Sequence, residues 1–362
     1  MGSLYLPSFY IKGFKSIEEM DLKSLSAINL IAGDNNVGKS TILEAIYAFV
    51  FQGFFLTLKQ LAFQRMNYTT VDFDSEHASE RLMLITQLFN GWEFKGGKSV
   101  ILKTGSDRNV ELTLGYIFVE NVKTKDGIIA KTIFKEDDKA VGDASYKAIR
   151  IKAENNEFIY SLENNAIILN KVKPFVPVQF IHTSSSNKSL NSKLWDDMAL
   201  TGLEKYVVDA LRIIEPDIDN LAFIEDPYTD SGKHFRVPYI TFKNKSGRYP
   251  LSVMGDGMNR ILSIILGLVS SKDGVCLIDE IENGIYYKRQ SELWDMICLL
   301  VRELNIQLFA TTHSLDCIRN FSASATDNSQ FIRLEKRKTG IKAICYNSDE
   351  LKVALENDIE LR

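Results

Sequence analysis

The nine residues Gly33-Asp34-Asn35-Asn36-Val37-Gly38-Lys39-Ser40-Thr41 fit the spacing G-x-x-x-x-G-K-[ST] at every fixed position. Glycines at its first and sixth places permit a tight turn, so that successive backbone N–H groups point at one spot. Where such a turn opens a helix, the orphan donors and the positive end of the helix dipole converge there as well, and a phosphate chain is their natural occupant. The pattern therefore points to a nucleotide. Lys39 would reach its β- and γ-phosphates, the Ser40 hydroxyl would ligate Mg2+, and Gly33, Asn35, Asn36, Gly38 and Thr41 would line the cradle.

A nucleotide–Mg2+ site also needs carboxylates, and these come far downstream. Val275-Cys276-Leu277-Ile278 is an apolar run ending in Asp279-Glu280, the form of a buried strand that delivers paired acids at its C-terminal end. On this reading Asp279 holds the Mg2+ shell, while Glu280 orients the attacking water and takes its proton. A core strand with a solvated acidic end has the same pattern. Asn305 to Ser314 is a second buried strand, placing His313 alongside as a γ-phosphate sensor, although a lone histidine is more often structural. Leu251 to Met258, with Ser252, Gly255 and Gly257, leads into the apolar stretch Ile261 to Val269. It is either a second phosphate cradle, facing a nucleotide held by another subunit, or the capped entry to a core helix.

Strands and helices must carry these groups. Ala27 to Ala32 reads as a short buried strand, and Ile42, Leu43, Ala45, Ile46, Phe49 and Val50 recur at helical spacing after the glycine loop. Leu4 to Gly13 alternates as an edge strand with Pro7 early in it. Phe14-Lys15-Ser16-Ile17 and Met20-Asp21-Leu22 continue into a second strand-like piece, and Phe51 to Ser79 shows no firm period. From Arg81 to Leu169 short alternating runs follow: Leu82-Met83-Leu84-Ile85, Ser99 to Leu102, Val110 to Phe118 and Phe158 to Leu162. Turn signals at Gly96-Gly97, Gly105-Ser106-Asp107, Lys125-Asp126-Gly127 and Glu163-Asn164-Asn165 separate them, which describes an antiparallel β meander. Its lysines, Lys123, Lys125, Lys131 and Lys135, suit a polyanion or a solvated hairpin face.

Pro174 to Ile181 reads as a strand returning to the core sheet, and Ser184 to Asn191 as a polar break. Leu194 to Ile214 is helical in period, with Trp195, Met198, Leu200, Leu203, Val207, Val208 and Leu211 as its apolar positions, until Pro216 stops it. A β pair at Leu221 to Ile224 and Tyr239 to Phe242 has its turn at Lys245-Ser246-Gly247, and Leu293 to Leu304 is an amphipathic helix. No internal repeat and no sustained heptad codes for a long coiled-coil arm.

Composition sets outer bounds. The 362 residues suit one large domain or two ordinary ones, with an apolar fraction of 45% and a charged fraction of 25%. A net charge of −4 gives no basic field over the whole molecule, so nucleic acid would need a local patch. Cys276, Cys298, Cys317 and Cys345 stand singly, which argues against a zinc site or a disulfide framework and fits a reducing compartment. Ile261 to Val269 is too short to cross a bilayer, and Met1 to Gly13 lacks a signal peptide's charged start and apolar block. A cytoplasmic protein with no membrane contact is the expectation.

With these stretches in order, the chain resembles the ABC-type ATPase heads of the group that includes SMC, RecF and the overcoming-lysogenisation-defect (OLD) proteins. Gly33 to Thr41 resembles their Walker A loop and Cys276 to Glu280 their Walker B strand. Leu251 to Met258 is similar to a degenerate ABC signature, and Thr312-His313 to the switch histidine. Asp279-Glu280-Ile281-Glu282-Asn283-Gly284-Ile285 resembles their Asp-Glu-x-Glu-Asn-Gly-hydrophobic box, Phe14 to Ile17 their N-terminal box, and Trp195 to Pro216 their helical segment. Relatives of this kind occur widely in bacterial anti-phage systems. Three departures stand out. Leu315 to Arg362 is too short for the TOPRIM nuclease domain of the OLD proteins. No zinc-hook cysteine pair is present, and Tyr286 stands where relatives often carry histidine. Gln179 is the residue best placed for the glutamine that links the signature lobe to Mg2+.

The expected fold is α/β, a P-loop NTPase with an ABC-ATPase-like two-lobed head: a mixed core sheet, an antiparallel β meander and a helical segment. Segment 1–181 would hold the Walker A lobe and meander, and 182–250 the helical and β link. Segment 251–362 would carry the signature, Walker B strand and switch histidine, all within one integrated domain. Two copies would sandwich ATP and Mg2+ as a homodimer or higher homo-oligomer. The work of that cycle has three candidates: regulating a separate effector such as a nuclease in anti-phage defence, a DNA-repair or chromosome-associated role with DNA as ligand, and ATP-dependent assembly with little turnover. No Asn-Lys-x-Asp string is present, so GTP is not expected as the substrate.

Overall fold

A computed structural model describes residues 4–63, 78–105, 108–124, 127–137, 145–163, 173–183, 188–225, 236–338, 340–357 and 359–361. Strands β1 (Phe9–Phe14) and β2 (Ile17–Leu22) form a hairpin, and β3 (Ile28–Gly33) runs through the glycine loop into helix α1 (Lys39–Val50). Helices α2 (Phe55–Phe63) and α3 (Ala78–Thr86) precede strands β4 (Ser99–Thr104), β5 (Arg108–Thr124), β6 (Gly127–Lys135), β7 (Ser145–Ala153) and β8 (Asn156–Ser161). After β9 (Val178–Ile181) come α4 (Lys188–Met198), α5 (Glu204–Ile214) and three strands, β10 (Ile218–Glu225), β11 (Arg236–Phe242) and β12 (Lys245–Pro250). The chain closes with α6 (Asp256–Ser270), β13 (Val275–Ile278), α7 (Gln290–Glu303), β14 (Gln307–Thr311), α8 (Leu315–Ser324), β15 (Ser329–Arg337), β16 (Gly340–Tyr346) and α9 (Ser348–Glu356).

The core is a six-stranded mixed sheet in the order β16-β15-β3-β14-β13-β9, with only β16 antiparallel to its neighbour. Every residue of β3, β13 and β14 is buried. Their unbroken apolar sequences follow from cover on both faces. Because successive side chains point to opposite faces, Leu30, Cys276, Ile278, Leu308 and Ala310 join α4 to α9 in one core. Ile31, Val275, Leu277 and Phe309 join α1 and the antiparallel sheet in the other. Helix α1 is thus wedged between two sheets: Phe49 meets Phe9 of β1 with ring centroids 5.5 Å apart, and Tyr47 meets Phe180 of β9 at 5.7 Å. The core sheet draws strands from both ends of the chain.

Several sequence expectations are corrected by the long-range pairing. Leu4 to Gly13 does not give an edge strand: β1 lies between β2 and β4, with Ile11 opposite both Met20 and Leu102, and Pro7 precedes it. Leu82 to Ile85 is helical in α3, where Arg81, Leu84 and Ile85 are buried together at i, i+3 and i+4 spacing. The second sheet has seven antiparallel strands but is no simple meander. The long strand β5 carries β4 and then β6 along one edge and β7 along the other, so β7 skips β6. Leu200 is not part of an apolar face. It is 98% exposed, in left-handed backbone (φ 63°) at the break between α4 and α5.

The β10-β11-β12 sheet packs on the α4–α5 pair, with Trp195 and Phe223 rings 5.8 Å apart. Its last hairpin pairs Phe242 with Lys245, so Lys243-Asn244 is the turn, and Lys245-Ser246-Gly247 belongs to β12. Helix α4 begins inside the expected polar break, whose residues 184–187 lie outside the described residues. The turns expected at Ser106-Asp107 and Asn164-Asn165, Lys125, and the side chains of Lys123 and Lys131 also lie outside them. Lys135 stands over the Phe118 ring at 5.0 Å. Among the described residues, no helix is long and apolar enough to cross a membrane.

An ion pair ties the β1–β2 hairpin to helix α1: Lys15 Nζ donates to Glu44 Oε2 at 2.8 Å, both side chains buried. Removing one partner leaves a buried charge without its main compensation. We expect Glu44→Leu to lower stability by about 3 kcal/mol, and Lys15→Met added to it to recover most of that loss, as read from urea midpoints. A double variant no more stable than the single one would show that the pair is not what holds α1 to this hairpin.

Candidate phosphate and metal site

The glycine loop has the backbone that its spacing requires. Gly33 (φ 146°), Asn36 (φ 61°) and Gly38 (φ 98°) take positive φ, and Gly38 opens α1 as its cap. A Cβ on Gly33 would stand 2.6 Å from the Leu334 carbonyl of β15, so only glycine fits between β3 and its neighbour. Asp34, Asn35 and Asn36 are exposed at the tip, while Thr41 is buried under the loop. Lys39 Nζ folds back over the loop and donates to the carbonyls of Gly33 (2.6 Å) and Asp34 (2.9 Å). Burial pushes the Lys39 ammonium below its ordinary pKa, opposed by the nearby charges of Glu280, Asp279, Glu282 and Asp34.

Parallel register brings the acids to this loop. Ile278 lies opposite both Ala310 of β14 and Ile181 of β9, so Asp279, Thr311 and His182 emerge level at one sheet edge. Three hydroxyls hold the Asp279 carboxylate: Ser40 Oγ at 3.0 Å, Thr311 Oγ1 at 2.6 Å and Thr183 Oγ1 at 3.4 Å. Thr311 Oγ1 also accepts the Glu280 N–H at 2.8 Å, at a residue in left-handed backbone (φ 46°). His313 Nδ1 stands 3.9 Å from Glu280 Oε1 and 3.3 Å from Glu282 Oε1. The structure thus brings Lys39, Ser40, Asp279, Glu280 and His313 together. Serine hydroxyl and aspartate oxygen side by side form an all-oxygen donor pair that suits Mg2+, which keeps waters for its remaining positions.

The Leu251 to Met258 stretch takes a short 3-10 turn (Leu251–Met254) before α6, whose start at Gly255 has no side-chain cap. Ser252 and Gly255 are exposed, and a Cβ on Gly255 would meet nothing within 4 Å. Gly257 is different: a Cβ there would stand 2.9 Å from the Gly284 carbonyl, so this glycine serves close packing on the loop after β13. One turn on, the buried Arg260 donates to the carbonyls of His182 (2.7 Å) and Asp279 (2.8 Å), pinning α6 to the acid strand. Burial lowers the Arg260 pKa, against the pull of Asp279, Glu280 and Glu282. Burial likewise lowers that of His182.

Gln179 does not reach the site. It pairs with Cys276 in mid-strand, three register positions (about 10 Å) short of the level of Asp279. The residues at the end of β9 that do are His182 and Thr183. Sequence spacing gave no signal for Thr183, Thr311 or Arg260, because their partners lie on other strands. Glu282 carried a signal only inside the acidic box.

Residues 124–317, from β5 to α8, match the family described as "AAA domain, putative AbiEii toxin, Type IV TA system". That span holds the acid pair and His313 and leaves out the glycine loop. An "ATP/GTP phosphatase" of Helicobacter pylori is 24% identical over 375 residues, covering 95% of this chain and 93% of the relative. An uncharacterized protein of Methanocaldococcus jannaschii is 45% identical over 58 residues, covering 16% of this chain and 26% of that one. Among solved structures, the SMC head bound to the C-winged helix domain of ScpA is similar with a TM-score of 0.50 at 13% identity, covering 95% of this chain and 98% of that one. The fold is therefore that of an SMC head, an ABC-ATPase-like P-loop architecture.

Thr311 links both acids through one buried hydroxyl. We expect Thr311→Val, nearly isosteric, to destabilise by about 1–3 kcal/mol because the Glu280 N–H loses its acceptor and Asp279 Oδ1 keeps only Ser40. Thr311→Ser should stay close to wild type. Equal denaturation midpoints for the Val and Ser variants would contradict this role.

Proposed function

The chain belongs to this AAA domain family and is a P-loop ATPase of SMC-head type, and we propose that it hydrolyses ATP with Mg2+ at a site completed when two copies close on nucleotide. The observation that supports this most is the Ser40–Asp279 hydrogen bond, which joins the glycine loop to an acid 239 residues away. The name of the Helicobacter pylori relative points the same way, and its mention of GTP makes the choice of base a point for direct comparison.

The roles follow from placement. Backbone N–H groups from Asn35 to Ser40 cradle the phosphates, and the Lys39 ammonium, poised on the loop carbonyls, counters their charge. Ser40 and Asp279 would hold Mg2+, with Thr311 and Thr183 fixing the carboxylate. A metal bound there would supply positive charge to the transferring phosphoryl group. Glu280 aligns a water and accepts its proton, and His313 stands beside it against the γ-phosphate. Ser252 and the open start of α6 at Gly255 are presented outward, where the same groups of a second copy would cap the phosphates, while Gly257 holds that turn to its own acid loop. Binding would then close the pair and hydrolysis reopen it. The signal that leaves the site is, on the resemblance to anti-phage ATPases, control of a separate effector such as a nuclease.

Two variants test this. Lys39→Ala should lose ATP binding by calorimetry, and full retained affinity would contradict the loop assignment. Glu280→Gln should keep ATP affinity, lose roughly a hundredfold or more in turnover, and run as a dimer with ATP in light scattering. A Glu280→Gln protein that stays monomeric at saturating ATP would contradict the two-copy site. The same assays with GTP settle the base preference.

A further inference from the structure

Glu282 is buried, with its side chain 7% exposed, yet neither the phosphate loop nor the Mg2+ pair uses it. The loop after β13 winds through two turns, Asn283 N–H to the Glu280 carbonyl and Ile285 N–H to the Glu282 carbonyl, both at 3.0 Å. Its carboxylate reaches the end of β14, where a single oxygen, Oε1, accepts the His313 backbone N–H at 3.0 Å and faces His313 Nδ1 at 3.3 Å. The other oxygen, Oε2, is buried with no hydrogen-bond partner. Glu280 Oε1 stands farther from the same nitrogen, at 3.9 Å.

We propose that Glu282 is the positioning residue for His313, holding the imidazole with the proton on Nδ1 so that Nε2 is the nitrogen left for the nucleotide. A carboxylate oxygen has only lone pairs to offer, so a ring nitrogen resting against it must carry hydrogen. Bonding the backbone N–H of one residue and facing its ring from the same oxygen would set both the position of the ring and its tautomer, the function a buried carboxylate serves behind a catalytic histidine elsewhere. Glu282 touches no substrate on this account. It acts through His313, and its effect on turnover rests on the reading of His313 as a residue that meets the γ-phosphate.

The test uses the full-length protein and two variants of similar volume. Glu282→Gln keeps an oxygen acceptor, and Glu282→Met removes it. The chain has four histidines, so 15N imidazole spectra at alkaline pH are sparse, and His313→Gln identifies the His313 signals. Wild type and Glu282→Gln should show His313 as one neutral tautomer with Nδ1–H, and Glu282→Met should show exchange or the Nε2–H form, read well below the melting temperature of each variant because the Met variant also loses the acceptor of the His313 backbone N–H. Turnover should fall about tenfold or more in Glu282→Met with KM for ATP unchanged, and stay within about threefold in Glu282→Gln. An Nε2–H tautomer in wild type, or His313 signals that Glu282→Met leaves unmoved, would overturn the proposal. If the spectra change as expected while turnover does not, the pair stands and His313 loses its place in the proposed function.

Discussion

The Asp279 carboxylate is where four separate pieces of chain are knotted together. It directly follows β13, and its oxygens are held by hydroxyls from the glycine-loop helix, from the end of β14 and from the residue pair that follows β9. A charged group at the edge of a core whose strands are buried on both faces is costly to leave unbonded. Three short hydroxyl side chains meet that need, and each comes from an element that must therefore end at the same level. The register of the parallel sheet and the shape of the site are one constraint seen from two sides.

That constraint explains why so much of the machinery sits where no local rule puts it. β3 and β13 are separated in the sheet by β14, so the loop and the acids meet only because Thr311 and the β14 end lie between them. Arg260 reaches from α6 to the backbone carbonyls of His182, Asp279 and Glu280, and Gly257 lets the start of α6 approach Gly284. The outward-facing start of α6 is thereby fastened to the acid strand. Any shift of α6 would be felt at Asp279 and Glu280, a coupling made of hydrogen bonds rather than of distance alone.

The sequence was most informative where chemistry dictates residue type. The glycine loop, the Asp279-Glu280 pair and His313 stand out in the sequence by residue type and spacing, and the structure brings them together. The buried strands were legible because cover on both faces leaves a continuous apolar run. Where the outcome depended on distant neighbours, local pattern failed. Leu4 to Gly13 looked like an edge because β4, some ninety positions on, is not visible from it. Leu82 to Ile85 is short enough to suit a strand or a helix, and packing beside Arg81 decided for helix. Order along the chain points to Gln179, whereas register leaves it in mid-strand and delivers Thr183 instead. Hydroxyls such as Thr311 carry no distinguishing pattern at all.

The most direct test of the account is a crystal structure of the protein with a non-hydrolysable ATP analogue and Mn2+, using anomalous scattering to place the metal. The account predicts one strong peak between Ser40 Oγ and the Asp279 carboxylate, with the analogue's β- and γ-phosphates in the turn from Gly33 to Gly38. Nucleotide bound in that turn with the metal away from Asp279, or no nucleotide in the turn at saturating analogue, would contradict it.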